Sequence, residues 1–414
     1  MNPVSRYASQ EWREGWPVVV ACAFGIGFMT LHTYSLGLFI TPLVKAYGWS
    51  RTEIGFGPAI ASVIGFFAAP WIGTLADRHG VRRFAMGGFV AYCLGLAAMG
   101  LVGPSKWSWY GHWLLLACCQ VFAGVAVWSL AIASRFDRSR GLALATSLSG
   151  PGVVATLTPI VTTMAIARYG WSMTYPLLAG GAFLIGMPVV FWGLRSAHDL
   201  VRRGDAAPAA QAVATTGLTL SQARRTRVFW QLLICSALLG AGIAALLAHF
   251  VPMALERGIA AKDAAWAASL TGLFAIGSRL ATGFLMDRLP GRLVGAVLFA
   301  MPMTACALLL APGGLGMMTA ASIAMGVTLG AEFDVLAVLV SRYLGIRAYG
   351  AVYGQIVGTF GLGIGFGPAI GGALYDATGD YSTMLLTLGA VFLIPPVLCA
   401  LLGRLPDWDA TEQP

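Results

Sequence analysis

Twelve long apolar runs dominate this chain and restrict what it can fold into. Each contains 18 or more residues, which as a helix is long enough to cross the hydrocarbon core of a bilayer. Only 10% of the 414 residues are charged, and the mean hydropathy is +0.77. The runs are continuous rather than alternating, so they predict helices and not barrel strands. They lie at 17–40, 53–76, 84–103, 113–133, 141–166, 173–193, 229–252, 264–286, 293–311, 317–340, 351–375 and 382–402.

The basic residues are distributed unevenly between the two sets of loops. If the N-terminus lies in the cytoplasm, 19 of the 26 lysines and arginines fall on the cytoplasmic side and six on the other, with Arg279 left inside a span. This asymmetry follows the positive-inside rule and places both termini in the cytoplasm. The net charge of +9 is therefore a topology signal and not a nucleic-acid-binding surface. Residues 1–16 contain no cleavable signal, so we expect a multi-pass protein of the inner (cytoplasmic) membrane.

The longest polar stretch, 195–228, divides the spans six and six. It holds an Ala/Pro/Gly-rich segment between basic ends, which is typical of a linker. The sequence predicts an N-terminal six-helix bundle at 1–194, a cytoplasmic linker at 195–228 and a C-terminal six-helix bundle at 229–414. The expected fold class is an all-α membrane protein with two pseudo-symmetric bundles.

Two motifs occur once in each half. Gly73-Thr-Leu-Ala-Asp77-Arg78-His-Gly-Val-Arg82 matches Gly283-Phe-Leu-Met-Asp287-Arg288-Leu-Pro-Gly-Arg292 in its glycine, aspartate and arginine spacing. Ser134-Arg135-Phe136 matches Ser341-Arg342-Tyr343 at an offset of 207. Parallel repeats of six helices are a transporter architecture, in which substrate binds near the midplane between the repeats.

The first copy, GTLADRHGVRR, resembles the signature loop between helices 2 and 3 of the major facilitator superfamily. The resemblance covers essentially the whole chain and implies two six-helix bundles that alternate in exposing a central site. It also implies that the repeated polar residues control opening and closing. These gating residues are Gly73, Asp77, Arg78, Arg82, Asp287, Arg288, Arg292, Arg135 and Arg342.

Within that superfamily the chain resembles the bacterial monocarboxylate-transporter-like branch and the oxalate:formate antiporter. The acidic-Gly-Trp entry at Glu14, the loop after span 4 and the segment from Tyr375 to Tyr381 resemble that branch. Arg279 falls where the branch carries its carboxylate-binding arginine. Two departures matter: Ala275 stands where an acid often precedes that arginine by four residues, and Tyr34 aligns with the lysine of the animal members.

Arg279 also stands out without the resemblance. A guanidinium keeps its charge, so at membrane depth it is tolerated only beside a protein interior or a wet cavity, and an anion is its natural ligand. Glu332 and Asp334 are the two acids deep in a span. Asp334 and Arg279 each lie about 12 Å from the cytoplasmic end of their spans, and Glu332 about 15 Å. Either acid is a candidate for proton coupling, or for a structural ion pair. They point to opposite sides of their helix, and the matching depth favours Asp334.

Further polar residues are candidates to line the cavity. Histidine titrates near neutral pH, so His32 and His249 could bind substrate or carry a proton, or could simply pack against a backbone carbonyl. The predicted substrate-binding residues are Arg279, His32, Tyr34, His249, Trp128 and Gln355.

The function predicted from these patterns is secondary active transport of a small organic monocarboxylate, coupled to protons. The alternatives are an organic anion exchanger of the oxalate/formate type, an exporter of another cargo, and a non-transporting membrane sensor. No nucleophile triad, metal-ligand cluster or phosphate loop is recognisable, so we expect neither an enzyme nor a cofactor or bound metal. The expected partners are the carboxylate, protons and the lipid bilayer, without nucleic acid, and the protein is expected to be monomeric.

Overall fold

The computed structural model describes residues 3–136, 139–194 and 216–406. Within these ranges only the backbone is described for residues 3–10, 69–70, 73–74, 76–79, 126, 133 and 140. The described residues form helices without any β-strand; two glycines, Gly217 and Gly345, form an isolated antiparallel bridge. The prediction of an all-α protein is therefore confirmed.

The chain divides into two compact units. Unit 1 comprises Met1–Tyr47 with Ile60–Gln211, and unit 2 comprises Gly48–Ala59 with Ala212–Pro414. Residues 48–59, which lie in the N-terminal half of the sequence, thus belong to unit 2. The predicted linker has a described part, 216–228, that packs on unit 2: Leu218 N donates to Leu344 O at 3.0 Å, and Ile346 N donates to Thr216 O at 2.9 Å.

The helices that begin in the first half of the sequence are α1 (Pro3–Phe28), α2 (Leu31–Tyr47), α3 (Arg51–His79), α4 (Val81–Ala98), α5 (Lys106–Val121), α6 (Val125–Ala133), α7 (Arg140–Ser147) and α8 (Gly150–Gly193). A short 3₁₀ turn, Met99–Leu101, follows α4. Helix α8 contains two spans, because its backbone turns at Gly170, where φ is +78° and only glycine is unstrained.

The helices of the second half are α9 (Leu220–Ala223), α10 (Arg227–Glu256), α11 (Ala261–Arg288), α12 (Gly291–Leu310), α13 (Leu315–Leu344), α14 (Tyr349–Thr378), α15 (Ser382–Val391) and α16 (Ile394–Ala400). Helix α9 is a single turn that starts with a capping box between Thr219 and Gln222. Helices α10, α11, α13 and α14 run 28 to 30 residues without interruption.

Nine stretches of the described residues are long and apolar enough to cross a membrane. To within two residues they cover every predicted span except the second, which coincides with α3, and the fourth. Four predicted spans are broken rather than continuous: the first between α1 and α2, the fourth between α5 and α6, the fifth between α7 and α8, and the twelfth between α15 and α16. Pro151 and the Pro395-Pro396 pair explain the last two, since proline removes a helical hydrogen bond and favours a helix start.

Small residues bring the helices of unit 2 into backbone contact. A β-carbon on Gly330 of α13 would collide with the Ala275 carbonyl of α11, and one on Gly367 of α14 would collide with the Ala241 carbonyl of α10. Such close approach is how membrane helices associate without a hydrophobic driving force. The contact at Gly330 fixes Glu332 and Asp334 on α13 beside Arg279 on α11.

Candidate anion-binding site

Arg279 of α11 is a buried cation with unused hydrogen-bonding capacity. Its side chain is 9% exposed, and its Nε lies 3.8 Å from Oδ2 of Asp334 on α13. Within the described residues, its Nη1 is buried and makes no hydrogen bond. One turn along α11, the hydroxyl of Thr282 is likewise buried without a partner there. Because a guanidinium carries five donors, Arg279 can hold Asp334 and still receive an anion.

The two predicted acids occupy different environments, although they are two residues apart. Asp334 is 27% exposed and faces Arg279. Glu332 is 0% exposed, and neither of its carboxyl oxygens has a hydrogen-bond partner among the described residues. Asp334 forms the ion pair with Arg279, whereas Glu332 is sealed from solvent.

Two tyrosines that the sequence analysis missed lie beside this charged cluster. Tyr353 of α14 donates its hydroxyl to the carbonyl of Phe333, the residue between the two acids, at 3.2 Å. Tyr349 stacks on Tyr353 with ring centroids 5.3 Å apart and planes 12° apart. The i, i+4 spacing on α14 was the available signal. We call these five residues, Arg279, Glu332, Asp334, Tyr349 and Tyr353, the arginine site.

His249 and Gln355, both predicted to bind substrate, are engaged elsewhere. His249 is fully buried, with Nε2 3.0 Å from the Pro368 carbonyl and Nδ1 3.3 Å from the Tyr381 hydroxyl. This is the packed arrangement that the sequence left open as the alternative. Gln355 accepts a hydrogen bond from Nε of Arg224 at 3.2 Å, and so connects α14 to the segment that follows α9. The structure does not bring either residue to the arginine site.

Unit 1 contains a cavity of its own, of about 340 Å³. Its polar lining residues are Thr30, His32, Gln120 and Trp128. His32 is half-buried and has Nδ1 3.1 Å from the Tyr92 hydroxyl, whereas the Trp128 indole donates to the Ala123 carbonyl at 2.7 Å. His32 and Trp128 thus both line the cavity of unit 1, while Tyr34 lies half-buried on α2 outside that lining.

Arg82 and Arg292, which occupy matching positions in the two copies of the motif, each donate a hydrogen bond to a backbone carbonyl of their own unit. Arg82 donates to the carbonyl of Phe191 at 2.8 Å, near the end of the sixth span. Arg292 donates to the carbonyl of Leu402 at 3.4 Å, near the end of the twelfth. Arg82 therefore satisfies a carbonyl in the last turn of its helix, and Arg292 satisfies one just beyond the end of α16.

The other predicted gating residues that can be described also make contacts inside their units. Arg135 pairs with Glu14 at 3.0 Å, and Arg342 donates to the Met286 carbonyl at 2.9 Å. Asp287 and Arg288 are exposed, and the Arg288 guanidinium lies 3.8 Å from the centre of the Phe284 ring. The side chains of Asp77 and Arg78, and the surroundings of Gly73, lie outside the described residues.

A polar cluster of unit 2 that the sequence analysis did not anticipate surrounds the start of α3. Asp376 accepts hydrogen bonds from Thr52 N at 2.9 Å and from the Thr52 hydroxyl at 2.6 Å. The Arg51 guanidinium lies 3.7 Å from the centre of the Tyr375 ring and pairs with Glu256. The carboxylate of Asp376 thus caps the helix, where the dipole favours a negative charge.

Known proteins resemble this chain over most of its length. Human monocarboxylate transporter 11 is 28% identical over 401 residues, covering 92% of this chain and 81% of the human protein. The probable nitrate/nitrite transporter NarK2 of Mycobacterium tuberculosis is 26% identical over 381 residues, covering 90% of this chain and 92% of that protein. Among solved structures, a bacterial homologue of the human lysosomal transporter Spinster superposes with a TM-score of 0.67 at 14% identity, covering 97% of this chain and 96% of that one.

The family model of the Major Facilitator Superfamily matches residues 22–358, which is most of the chain. The solved structure has the same fold, and the relatives are named as transporters rather than enzymes. These matches agree with the repeated motifs and the predicted membrane spans. The chain therefore belongs to the Major Facilitator Superfamily of membrane transporters.

Proposed function

We propose that this transporter moves a small organic monocarboxylate together with a proton across the cytoplasmic membrane by alternating access. The observation that carries the proposal is the arginine site, in which a buried guanidinium retains a free donor beside two acids. Arginine binds carboxylates through paired, charge-assisted hydrogen bonds. The name of the human relative, a monocarboxylate transporter, supports the same class of substrate.

The charges of the arginine site favour the binding of one proton with each monocarboxylate. An unpartnered carboxylate at zero exposure is very costly, so we infer that Glu332 holds a proton and stays neutral. Arg279 and Asp334 then neutralise each other. When a substrate carboxylate takes Arg279, Asp334 is left as a second buried anion unless it binds a proton. Binding one monocarboxylate and one proton keeps the site neutral, whereas a dicarboxylate adds an uncompensated charge.

An exchanger of small anions is the second candidate. NarK2, named as a probable nitrate/nitrite transporter, is nearly as similar as the human relative, and a buried arginine would serve an inorganic anion equally well. The two candidates differ in whether Asp334 must bind a proton during each cycle.

Several predicted features stay proposals within this scheme. We propose bundles at 1–194 and 229–414 joined by the linker 195–228, both termini in the cytoplasm, and a monomeric transporter. We also propose that the repeated polar residues control opening, and that His32, Tyr34 and Trp128 contribute to substrate binding. Labelling of Lys106→Cys from outside and Arg203→Cys from inside tests the topology, and the reverse pattern would overturn it.

Uptake into proteoliposomes tests the function. Radiolabelled pyruvate should enter saturably, faster when the outside is acidic, and without a dependence on membrane potential, because the loaded site is neutral. A panel of formate, acetate, lactate, succinate and nitrate compares substrate classes. If pyruvate enters only against a preloaded anion and ignores the pH gradient, the exchanger is correct. If no anion enters faster than into empty liposomes, the proposed function is wrong.

A further inference from the structure

We propose that Tyr349 and Tyr353 form an aromatic wall of the arginine site that selects monocarboxylates with a flat aromatic body. The inference rests on the proposed function, because the carboxylate is held by Arg279. It adds what the charged residues leave undefined, which is the shape of the rest of the substrate.

The position of the wall follows from one hydrogen bond. The Tyr353 hydroxyl donates to the carbonyl of Phe333, and that carbonyl lies between the two acids in the chain. Asp334 is the next residue along α13, and its Oδ2 lies 3.8 Å from Nε of Arg279. The ring of Tyr353 is therefore fixed at the level at which a carboxylate would bind.

The wall is a stack of two rings. Tyr349 packs on one face of Tyr353, with planes 12° apart and centroids 5.3 Å apart, so a flat substrate ring extends the stack from an outer face of the pair. Phe333 contacts Phe360 with ring centroids 4.8 Å apart, and Phe360 is 1% exposed. In contrast, both tyrosines are only half-buried. Phe360 is thus packed, whereas the tyrosines keep an accessible surface.

The chemistry of the wall favours a ring over a polar body. The hydroxyl hydrogen of Tyr353 is already donated to Phe333, so that residue offers a substrate mainly the face of its ring. Aromatic rings bind other flat rings by offset stacking, which adds to the burial of apolar area. A saturated ring of the same size is puckered and loses the stacking contribution. A short monocarboxylate such as pyruvate binds Arg279 but has no ring to add to the stack.

The test compares benzoate with cyclohexanecarboxylate as competitors of radiolabelled pyruvate uptake. The two competitors share carbon number and charge but differ in flatness. For the natural protein we expect benzoate to inhibit at about three- to tenfold lower concentration, the range of an aromatic contact. Tyr353→Leu and Tyr349→Leu should reduce that preference to less than twofold. Tyr353→Phe, which keeps the ring, should retain the preference. Trp266→Leu, at an exposed aromatic residue of α11, is the matched control.

The possible results of this experiment distinguish a failure of the aromatic wall from a failure of the proposed function. If pyruvate uptake depends on Arg279 but the natural protein shows no preference for benzoate, the aromatic wall is wrong and the carboxylate transporter stands. If Tyr353→Leu reaches the membrane, transports pyruvate and still prefers benzoate, the two tyrosines are packing residues and the inference is overturned. If no carboxylate is transported at all, both fall together.

Discussion

The two units share a helical scaffold but place their chemistry differently. In each unit an arginine of the repeated motif, Arg82 or Arg292, binds a carbonyl near the end of that unit's last span. Among the described residues, however, only unit 2 buries an arginine with two acids. The repeat therefore preserves what holds a bundle together, while the residues that recognise an anion belong to one half.

The two units also differ in whether the helices of their first and fourth spans are continuous. In unit 1 the first and fourth spans break at Thr30 and Gly124, and both residues line the cavity of that unit. Their counterparts in unit 2, α10 and α13, are continuous. Irregular backbone at membrane depth is tolerated where it lines a cavity, because its free polar groups then find partners. Unit 1 shapes its cavity with backbone breaks, and unit 2 builds its site with charged side chains.

The largest effect should come from removing the charge that distinguishes unit 2. Arg279→Ala should lower pyruvate uptake by about 100-fold, corresponding to roughly 3 kcal/mol for truncating a buried charge partner. Arg279→Lys should also be badly impaired, because lysine lacks the planar fork that binds a carboxylate through two bonds. Uptake is measured in proteoliposomes at equal protein insertion.

Arg227→Ala, at an exposed arginine of the same unit, is the control for Arg279 and should retain uptake. Normal uptake by a correctly inserted Arg279→Ala protein would remove the functional difference between the units. The anion would then have to be recognised elsewhere, with the cavity of unit 1 as the first place to look.

The next effect separates the two acids of unit 2. Asp334→Asn should abolish pyruvate accumulation driven by an acidic exterior, because the proton-binding partner of Arg279 is lost, yet it should retain pyruvate–pyruvate exchange. Glu332→Gln should change accumulation less than about threefold, since a neutral amide replaces an acid that is already neutral. Accumulation and counterflow are compared in the same vesicles. Loss of coupling in Glu332→Gln but not in Asp334→Asn would reverse the two roles.

A smaller effect should distinguish the histidines of the two units. His249→Ala removes the hydrogen bonds of a fully buried ring to Pro368 and Tyr381 and empties a packed position, so we expect a loss of about 2 kcal/mol and a fall in Tm of about 4–8 °C. His32→Ala should lower Tm less, because the ring borders a cavity, and should change uptake instead. Fluorescence-monitored melting in detergent gives the comparison. Equal falls in Tm would mean that His32 is as much a packing residue as His249.

The smallest effect should come from the shared arginine contacts. Replacing Arg82 or Arg292 with alanine removes one partly exposed hydrogen bond to a helix end, and we expect about 1 kcal/mol and a fall in Tm of about 2–4 °C in each case. Arg82→Ala should have the larger effect, because its bond is shorter and its guanidinium lies 5.2 Å from the Phe191 ring. Unchanged stability with lost uptake in either variant would favour the gating role proposed from the motif.

Several site features were within reach of the sequence, and others were not. Burial of Arg279 and the depth of Asp334 follow from counting residues along a span, because a helix rises regularly. The breaks at Pro151 and at Pro395 are also predictable, because proline favours the start of a helix. The breaks at Thr30 and Gly124 carry no comparable local signal, since a single small or polar residue is common inside membrane helices.

The sequence by itself determined the membrane fold, the repeat and the presence of a buried cation. These are local properties, in which each residue contributes its own preference for lipid or water and its own helical phase. Only the tertiary structure decided which residues meet. The contact of Gly330 with Ala275 sets the rotation of α13 against α11, and that rotation pairs Asp334 with Arg279 while sealing Glu332. Likewise, His249 is occupied because Pro368 and Tyr381, more than 100 residues away, come to its two nitrogens. Helical phase selects a face, but the partner on that face depends on how two distant helices pack.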